Sequence, residues 1–242
     1  MKDLLSIARL AAATAADLLL NDFSDDASVL EASGKDIKTL ADVAAQELIL
    51  EALRVTGIPV LAEEGEHQAV DLNREAWIVD PLDGTLNFSR GFPIAAVSIA
   101  LWEEGKPVLG VIQDIYAGQV YSGLIGQGAW LDEQEIRVSS IDVKEQAVLA
   151  TGFPTGRDYG SDPLLQFVDA VQSYKKVRML GSAAMMLAQV AAGRFDVYEE
   201  SGGYIWDVAA GLALVQAAGG TFSLTPDSGP YQYIVRATNG HL

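Results

Sequence analysis

The most informative stretch of the chain is WIVDPLDGT, residues 77–85. It predicts a short apolar strand that ends in a tight turn, and the turn carries Asp80 and Asp83, which are separated by a proline and a leucine. Two carboxylates at this spacing can converge on a cation that neither would hold alone. If a helical turn begins at Gly84 and Thr85, its free N–H groups suit a phosphate. Asp-Pro and Asp-Gly also form ordinary turns, so the remaining acidic residues must separate a turn from a site.

Each of those other acidic residues has an ordinary structural explanation by itself. Glu63 and Glu64 end a strand-like run, where a solvated pair of like charges is common. Asp207, in YIWDVAAG, precedes an apolar helical pattern and would serve as a helix N-cap. Asp42, near the start of a second helical pattern, would match the helix dipole. The spacing of these residues alone therefore leaves both explanations open.

The composition limits the kinds of chemistry available. The 33 acidic and 16 basic residues give a net charge of −17, which disfavours binding to nucleic acid or to an anionic membrane. The same charge would repel a phosphorylated substrate unless carboxylates gather metal cations locally. Cysteine is absent and there are only two histidines, so thiol catalysis and His-rich metal centres are excluded. Oxygen ligands for a hard cation remain.

The pattern along the chain predicts two subdomains. Residues 1–137 contain two helical segments, at about 2–23 and 39–55, followed by alternating segments that predict an antiparallel sheet. Residues 138–242 alternate between strand and helix, which is typical of an α/β unit. The N-terminal segment is interrupted by charges and no apolar run is long enough to cross a membrane, so we expect a cytoplasmic protein.

Taken together, the motifs resemble those of the inositol monophosphatase family. A-E-E-G, W-I-V-D-P-L-D-G-T-L-N-F and W-D-V-A-A-G occur in the family's order and approximate separation. D-I-K-T-L-A-D, residues 36–42, is similar to the family's D-x-x-T-x-x-D, and G-S-A-A precedes the last helices. The resemblance extends over nearly the whole chain. It implies an α/β fold of the inositol monophosphatase/fructose-1,6-bisphosphatase type, in which helix and sheet layers alternate.

The resemblance also implies a metal site. Two or three Mg²⁺ ions would be held by Glu63, Asp80, the carbonyl oxygen of Leu82, Asp83 and Asp207. Thr85 and Asp42 resemble the family's pair that orients the attacking water, and Glu63 shares in catalysis through the first ion. Most of these ligands lie in the first predicted subdomain, and Asp207 of the second completes the site.

Substrate contacts follow from the same resemblance. The amides of Gly84 and Thr85 would meet phosphate oxygens, and Ala184 would line the pocket as a small residue. Glu200, seven residues before Asp207, matches a carboxylate that accepts hydrogen bonds from sugar-like hydroxyls. Arg178 is expected to be structural or to lie at the rim of the pocket, and its part in substrate binding stays open. Lys35 and Lys38 are left out of the predicted site, because the family's basic residue upstream of D-x-x-T-x-x-D has no clear match here.

The resemblance implies a Mg²⁺-dependent, Li⁺-sensitive phosphomonoester hydrolase that acts as a homodimer on a small polyol phosphate. Inositol monophosphate is the first choice of substrate. The alternatives within the superfamily are a 3'(2'),5'-bisphosphate nucleotidase, a fructose-1,6-bisphosphatase and a histidinol-phosphatase, since the same metal core serves all of them. A catalytically silent metal-binding protein is a further alternative, which the complete acidic set disfavours.

Overall fold

One seven-stranded sheet and one five-stranded sheet alternate with layers of helices. The computed structural model describes residues 1–23, 29–33, 36–64, 70–153 and 160–242. Within these ranges the α-helices are α1 (Lys2–Asp22), α2 (Leu40–Leu53), α3 (Thr85–Ser89), α4 (Ser161–Gln172), α5 (Ala183–Ala191) and α6 (Ile205–Ala217). Short 3₁₀ turns occupy Arg54–Thr56 and Lys144–Gln146.

The strands of the first half build a small hairpin and the seven-stranded sheet. The hairpin pairs β1 (Val29–Ser33) with β2 (Asp36–Thr39). The sheet contains β3 (Val60–Ala62), β4 (Ala76–Asp83), β5 (Ala96–Glu103), β6 (Lys106–Asp114), β7 (Val120–Leu124), β8 (Gly128–Leu131) and β9 (Gln134–Ile136), in that spatial order. All neighbours are antiparallel except β3 and β4.

The strands of the second half form the mixed five-stranded sheet. They are β10 (Val148–Thr151), β11 (Lys176–Arg178), β12 (Val197–Tyr204), β13 (Thr221–Pro226) and β14 (Gln232–Thr238). Their spatial order is β11-β10-β12-β14-β13. β10 runs parallel to β11 and β12, whereas β14 is antiparallel to both of its neighbours.

Helices cover both faces of the seven-stranded sheet, so β4 is buried along its whole length. Trp77 and Val79 belong to the core beneath α1 and α2, while Ile78 belongs to the core shared with α5 and α6. Alternate side chains of β4 therefore enter two different cores, which explains why this strand is a continuous apolar run. Its carboxyl end, with Asp80 and Asp83, carries polar groups into a buried region.

Helices α5 and α6 form the layer between the two large sheets and contact strands of both. The close fit explains the small residues of W-D-V-A-A-G. A Cβ atom at Gly110 of β6 would overlap the carbonyl oxygen of Ala210, and one at Gly211 would overlap the Leu187 side chain. The five other residues of that motif are buried and bear on packing, and only Asp207 adds chemistry. The outer face of the five-stranded sheet packs against α4 through residues such as Val171.

The layered α/β architecture confirms the predicted fold class. One local prediction was wrong, because Asp80 and Asp83 do not lie on a tight turn: β4 continues to Asp83, with a bulge against β5 between the two aspartates. The hairpins β1–β2 and β13–β14 were not predicted. The strands of the two large sheets lie on either side of residue 137, and the division into two subdomains stays a prediction. No helix among the described residues has the length and apolar content to span a bilayer.

Candidate active site

Acidic side chains from three parts of the chain meet at the carboxyl end of β4. Asp80 and Asp83 come from β4, and Glu63 follows the neighbouring β3, held there by a hydrogen bond from its N–H to the carbonyl oxygen of Val79 (3.1 Å). Asp207 lies in the first turn of α6. Asp80 is only 1% exposed and Asp83 is 8% exposed. The fold therefore brings together four of the predicted metal-binding side chains.

Mutual repulsion is strong within this cluster. Burial raises the pKa of Asp80 well above its ordinary value, and the charges of Glu63, Asp83 and Asp207 raise it further. Burial raises the pKa of Asp207 in the same way, with added repulsion from Glu63 and Asp83. Within the described ranges, no ion pair to Lys or Arg includes Asp80, Asp83 or Asp207. A cation is the natural means of keeping such a cluster ionised.

The N-terminus of α5 holds Asp83 in place. The Ser182 hydroxyl and the Ala184 N–H (2.8 Å) donate hydrogen bonds to Oδ2, and the Ala183 N–H (3.2 Å) donates to Oδ1. Burial raises the pKa of Asp83 to about 6, and these three hydrogen bonds oppose the rise. Ser182 is also the N-cap of α5, since its Oγ accepts from the Met185 N–H at 3.2 Å. Ser182, from the second half of the chain, thus orients the Asp83 carboxylate of the first half.

Thr85 and Asp42 also come together. Thr85 Oγ1 lies 3.0 Å from Asp42 Oδ1 and 2.9 Å from the carbonyl oxygen of Leu82. The other oxygen of Asp42 accepts from the N–H (2.7 Å) and the hydroxyl (2.5 Å) of Thr39, which precedes α2. Both acceptors compete for the single Thr85 proton, so the lone pairs of that hydroxyl remain available to accept a hydrogen bond from water.

A side chain of α2 fixes the backbone beside Glu63. The Gln46 amide donates from Nε2 to the carbonyl oxygen of Glu64 (2.8 Å) and accepts at Oε1 from the Glu64 N–H (2.9 Å). This pair of hydrogen bonds replaces the strand partner that the chain loses after β3. Gln46 and Asp42 are one turn apart on α2, so one face of this helix supports both Glu63 and Thr85.

Glu200 lies on β12 and is 8% exposed. Its charge contributes to the raised pKa of Asp207, behind burial and the charges of Glu63 and Asp83. Burial raises the pKa of the Tyr198 hydroxyl, and the charge of Glu200 raises it further. The structure therefore places this predicted substrate contact next to the acidic cluster.

The remaining predicted residues occupy less direct positions. Gly84 is the N-cap of α3, with φ of 89°. Ala184 is fully buried and reaches the cluster through its N–H, so its predicted contact with substrate stays a prediction. Arg178 is exposed on β11, where its guanidinium donates to the carbonyl oxygen of Val177. Lys35 and the side chain of Lys38 lie outside the described part of the chain.

Three supporting residues were not predicted, namely Ser182, Gln46 and Asn87. The Asn87 amide donates to the carbonyl oxygens of Ile94 (2.9 Å) and Leu180 (2.8 Å), which ties α3 to the segment before α5. Ser182 could have been found, because serine before an apolar helical run is a typical N-cap. The contacts of Gln46 and Asn87 join distant segments, and local sequence patterns carry no signal for them.

The donor set suits a hard divalent cation. Four carboxylates and the Leu82 carbonyl are oxygen donors, and Mg²⁺ prefers such donors with positions left for water and phosphate. Within the described ranges, no three acidic side chains are arranged closely enough to enclose an ion in the positions they occupy. The fit therefore rests on the chemistry of the donors, their burial and their mutual repulsion.

Comparisons with known proteins show which family the chain is similar to. The model of the inositol monophosphatase family matches residues 1–241. A Nus factor SuhB of Xylella fastidiosa is 38% identical over 207 residues, 84% of this chain and 74% of the relative. An inositol-1-monophosphatase of Mesorhizobium japonicum is 38% identical over 180 residues, 73% of this chain and 68% of the relative.

Solved structures show the same likeness. The extragenic suppressor protein suhB of Bartonella henselae superposes with a TM-score of 0.87 at 33% identity, covering 99% of this chain and 95% of that one. The inositol monophosphatase of Anabaena gives a TM-score of 0.85 at 34% identity, covering 99% and 92%. The likeness therefore includes both large sheets and the helices between them.

Proposed function

Because the chain belongs to the inositol monophosphatase family, we propose that it is a Mg²⁺-dependent hydrolase of small polyol phosphates, inositol monophosphate first among them. The observation that carries the proposal is the convergence of Asp80, Asp83 and Asp207 beside the hydrogen-bonded pair of Thr85 and Asp42. The acids supply ligands for cations, and the pair supplies a site for an attacking water.

The chain's own residues have distinct tasks in this proposal. Glu63, Asp80, Asp83, Asp207 and the Leu82 carbonyl would hold two or three Mg²⁺ ions. When bound, such ions activate water and stabilise the negative charge that develops on the leaving oxygen. Thr85 accepts a hydrogen bond from the attacking water, and Asp42 fixes the direction of the Thr85 hydroxyl. The N–H groups of Gly84 and Thr85 would contact phosphate oxygens.

The choice of Mg²⁺ follows from charge and ligand type. A protein of net charge −17 needs a local excess of positive charge to bind a phosphate, and the described site gathers carboxylates rather than lysines. Ca²⁺ in place of Mg²⁺ should inhibit, since its longer and more variable coordination distances misplace the reacting groups. Inhibition by Li⁺ is proposed on the family resemblance.

Selection of a polyol is assigned to Glu200. A buried carboxylate beside the acidic cluster can accept hydrogen bonds from hydroxyl groups of the substrate's alcohol. Glu200→Gln should therefore reduce turnover of inositol 1-phosphate much more than turnover of 4-nitrophenyl phosphate, which has no such hydroxyls. An equal loss on both substrates would assign Glu200 to metal binding or to the fold.

A panel of phosphate esters tests the function directly. Phosphate release should be measured with inositol 1-phosphate, fructose 1,6-bisphosphate, 3'-phosphoadenosine 5'-phosphate and histidinol phosphate, each with Mg²⁺ and with a chelator. We expect Mg²⁺-dependent release, fastest from inositol 1-phosphate. Preference for another ester would still support a Mg²⁺-dependent phosphatase but would assign it a different substrate. Full activity in the chelator, or no release from any ester, would contradict the proposal.

The expected partners are a small phosphorylated metabolite and a second copy of the chain. The net charge disfavours nucleic acid as a partner, and the Nus factor names belong to the relatives that carry them.

Three large apolar side chains are about half exposed near one junction: Leu86, Phe92 and Met179. Asn87 connects their segments, and such a patch suits a homodimer contact. Sedimentation of the wild type and of Phe92→Asp tests this, with a monomeric wild type as the contrary result. A cytoplasmic location stays a prediction.

A further inference from the structure

The carboxylate of Glu200 lies close to two glycines. A Cβ atom built on Gly152 would overlap Oε2 of Glu200 and lie 3.3 Å from its Cδ. A Cβ atom built on Gly203 would lie 3.4 Å from Oε1, which is an ordinary van der Waals contact. The two glycines therefore differ: the Glu200 carboxylate fills the position that a Cβ atom would take at Gly152, whereas it leaves room for one at Gly203.

Strand pairing explains why Gly152 is so close. β10 runs parallel to β12 with Thr151 opposite Glu199, so the residue after β10 lies beside Glu200. The backbone of Gly152 does not require a glycine, because its φ lies outside the left-handed region that twelve other glycines of the described chain adopt. The absence of a side chain at position 152 is therefore explained by the room that Glu200 occupies.

We propose that Gly152 is a positioning residue for substrate selection: because it has no side chain, it leaves room for the Glu200 carboxylate and keeps that carboxylate turned to a polyol hydroxyl of the bound phosphate ester. The inference rests on the proposed function, since it concerns the same site. It assigns specificity to a glycine that is neither a predicted metal ligand nor a predicted phosphate contact. A methyl group at position 152 would displace the Glu200 carboxylate and leave the acids of β4 and α6 where they are.

The expected effect is selective because the displaced group is the end of a flexible side chain. Glu200 can yield to a new methyl group by rotating, whereas a clash with backbone would disturb the fold. A rotated carboxylate no longer meets the substrate hydroxyl, and losing a hydrogen bond to a charged group lowers binding by about tenfold to a hundredfold. An ester without hydroxyls has no such contact to lose.

The test compares two substrates in the wild type and two variants. KM and kcat are measured for inositol 1-phosphate and for 4-nitrophenyl phosphate with wild type, Gly152→Ala and the matched control Gly203→Ala, and each variant is melted to check folding. We expect Gly152→Ala to lower kcat/KM for inositol 1-phosphate about tenfold or more, mainly through KM, and to change the aryl ester less than about twofold. Gly203→Ala should change either substrate less than about twofold, because it makes only an ordinary contact.

A double-mutant cycle identifies the cause. Glu200→Asp shortens the acid by one methylene and withdraws it from Gly152, so adding Gly152→Ala to Glu200→Asp should bring little further loss. If Gly152→Ala unfolds at a lower temperature than the wild type, the comparison of Glu200→Asp with and without Gly152→Ala provides the same test.

The contrary results are distinct. An active wild type whose Gly152→Ala variant keeps its preference, or loses both substrates equally, would overturn the inference and leave the proposed function standing. Additive losses in the cycle would overturn it as well. A wild type that releases phosphate from neither ester would overturn the proposed function, and this inference with it.

Discussion

Thr85 and Asp42 are 43 positions apart in the chain, yet the Thr85 hydroxyl lies 3.0 Å from Asp42 Oδ1. The same hydroxyl is 2.9 Å from the carbonyl oxygen of Leu82, one of the proposed metal ligands. The hydrogen bonds of Thr39 to Asp42 fix the carboxylate from the other side. This chain of contacts connects the start of α2 to the end of β4 and holds the Thr85 hydroxyl between two hydrogen-bond acceptors.

Removing the Thr85 hydroxyl should therefore slow the reaction without unfolding the protein. For Thr85→Ala we expect a loss of about a hundredfold in kcat. This is the lower end of the range for groups that assist proton transfer. Thr85→Ser is the matched control, because it keeps the oxygen. Steady-state phosphate release and melting curves measure the two effects. A Thr85→Ala enzyme with wild-type kcat would remove Thr85 from the mechanism.

Ser182 is expected to affect metal binding through Asp83. Ser182→Ala removes a hydrogen bond that favours the ionised carboxylate and also removes the N-cap of α5. We expect a higher Mg²⁺ concentration for half-maximal activity and a loss of about 1 kcal/mol in the free energy of unfolding. Ser182→Thr keeps the hydroxyl and serves as the control.

The two effects of Ser182→Ala can be separated. Calorimetric titration with Mg²⁺ reports the affinity without relying on turnover, and chelated protein reports the stability alone. If the variant lost stability but bound Mg²⁺ as wild type does, Ser182 would be only a helix cap.

The chelated protein should lose stability as pH rises. Burial raises the pKa of Asp83 from 3.8 to about 6, and burial also raises those of Asp80 and Asp207. An acid with a raised folded pKa binds more protons in the folded state, so its contribution is complete below the unfolded pKa and is lost as pH passes the folded one. For Asp83 alone the loss between pH 4 and pH 7 is on the order of 2 kcal/mol.

Denaturant unfolding in a chelator at several pH values measures this loss. Saturating Mg²⁺ should reduce the decline, because the ion binds the ionised form. Asp83→Asn should flatten it in the chelator. Stability of the chelated wild type that rises between pH 4 and pH 7 would mean that these carboxyls are not mutually destabilised in the folded protein.

Much of the site was predictable because its motifs are local. WIVDPLDGT indicated both aspartates of β4, and the capping position of Thr39 agrees with the predicted start of α2. The bulge between Asp80 and Asp83 was not predictable, since it depends on the register with β5. The convergence of Asp207 with Asp83 rested on the family resemblance, because nothing in the spacing of two residues so far apart requires them to meet.

Other features that the sequence analysis did not predict have specific physical causes. Thr221, Ser223 and Thr225 are exposed and alternate with half-buried residues, which is a strand signal that was overlooked. Gln46 holds the backbone of Glu64 through side-chain contacts across 18 positions, for which sequence offers no local signal. Gly152 looks like any turn glycine until the neighbouring strand places Glu200 beside it.

A Mg²⁺ titration of phosphate release for Asp207→Asn tests most directly whether Asp207 belongs to the proposed metal site. The Tyr204 N–H donates to Asp207 Oδ2 at 3.1 Å, and asparagine can accept the same hydrogen bond, so the fold of α6 should survive. We predict that the rate falls about a hundredfold and that half-maximal activity needs more Mg²⁺, because a charged ligand is lost. Melting in chelator should be unchanged or higher, since one charge of the repelling cluster is gone. A variant with the rate and Mg²⁺ dependence of wild type would contradict the account, because Asp207 would then only stabilise the helix.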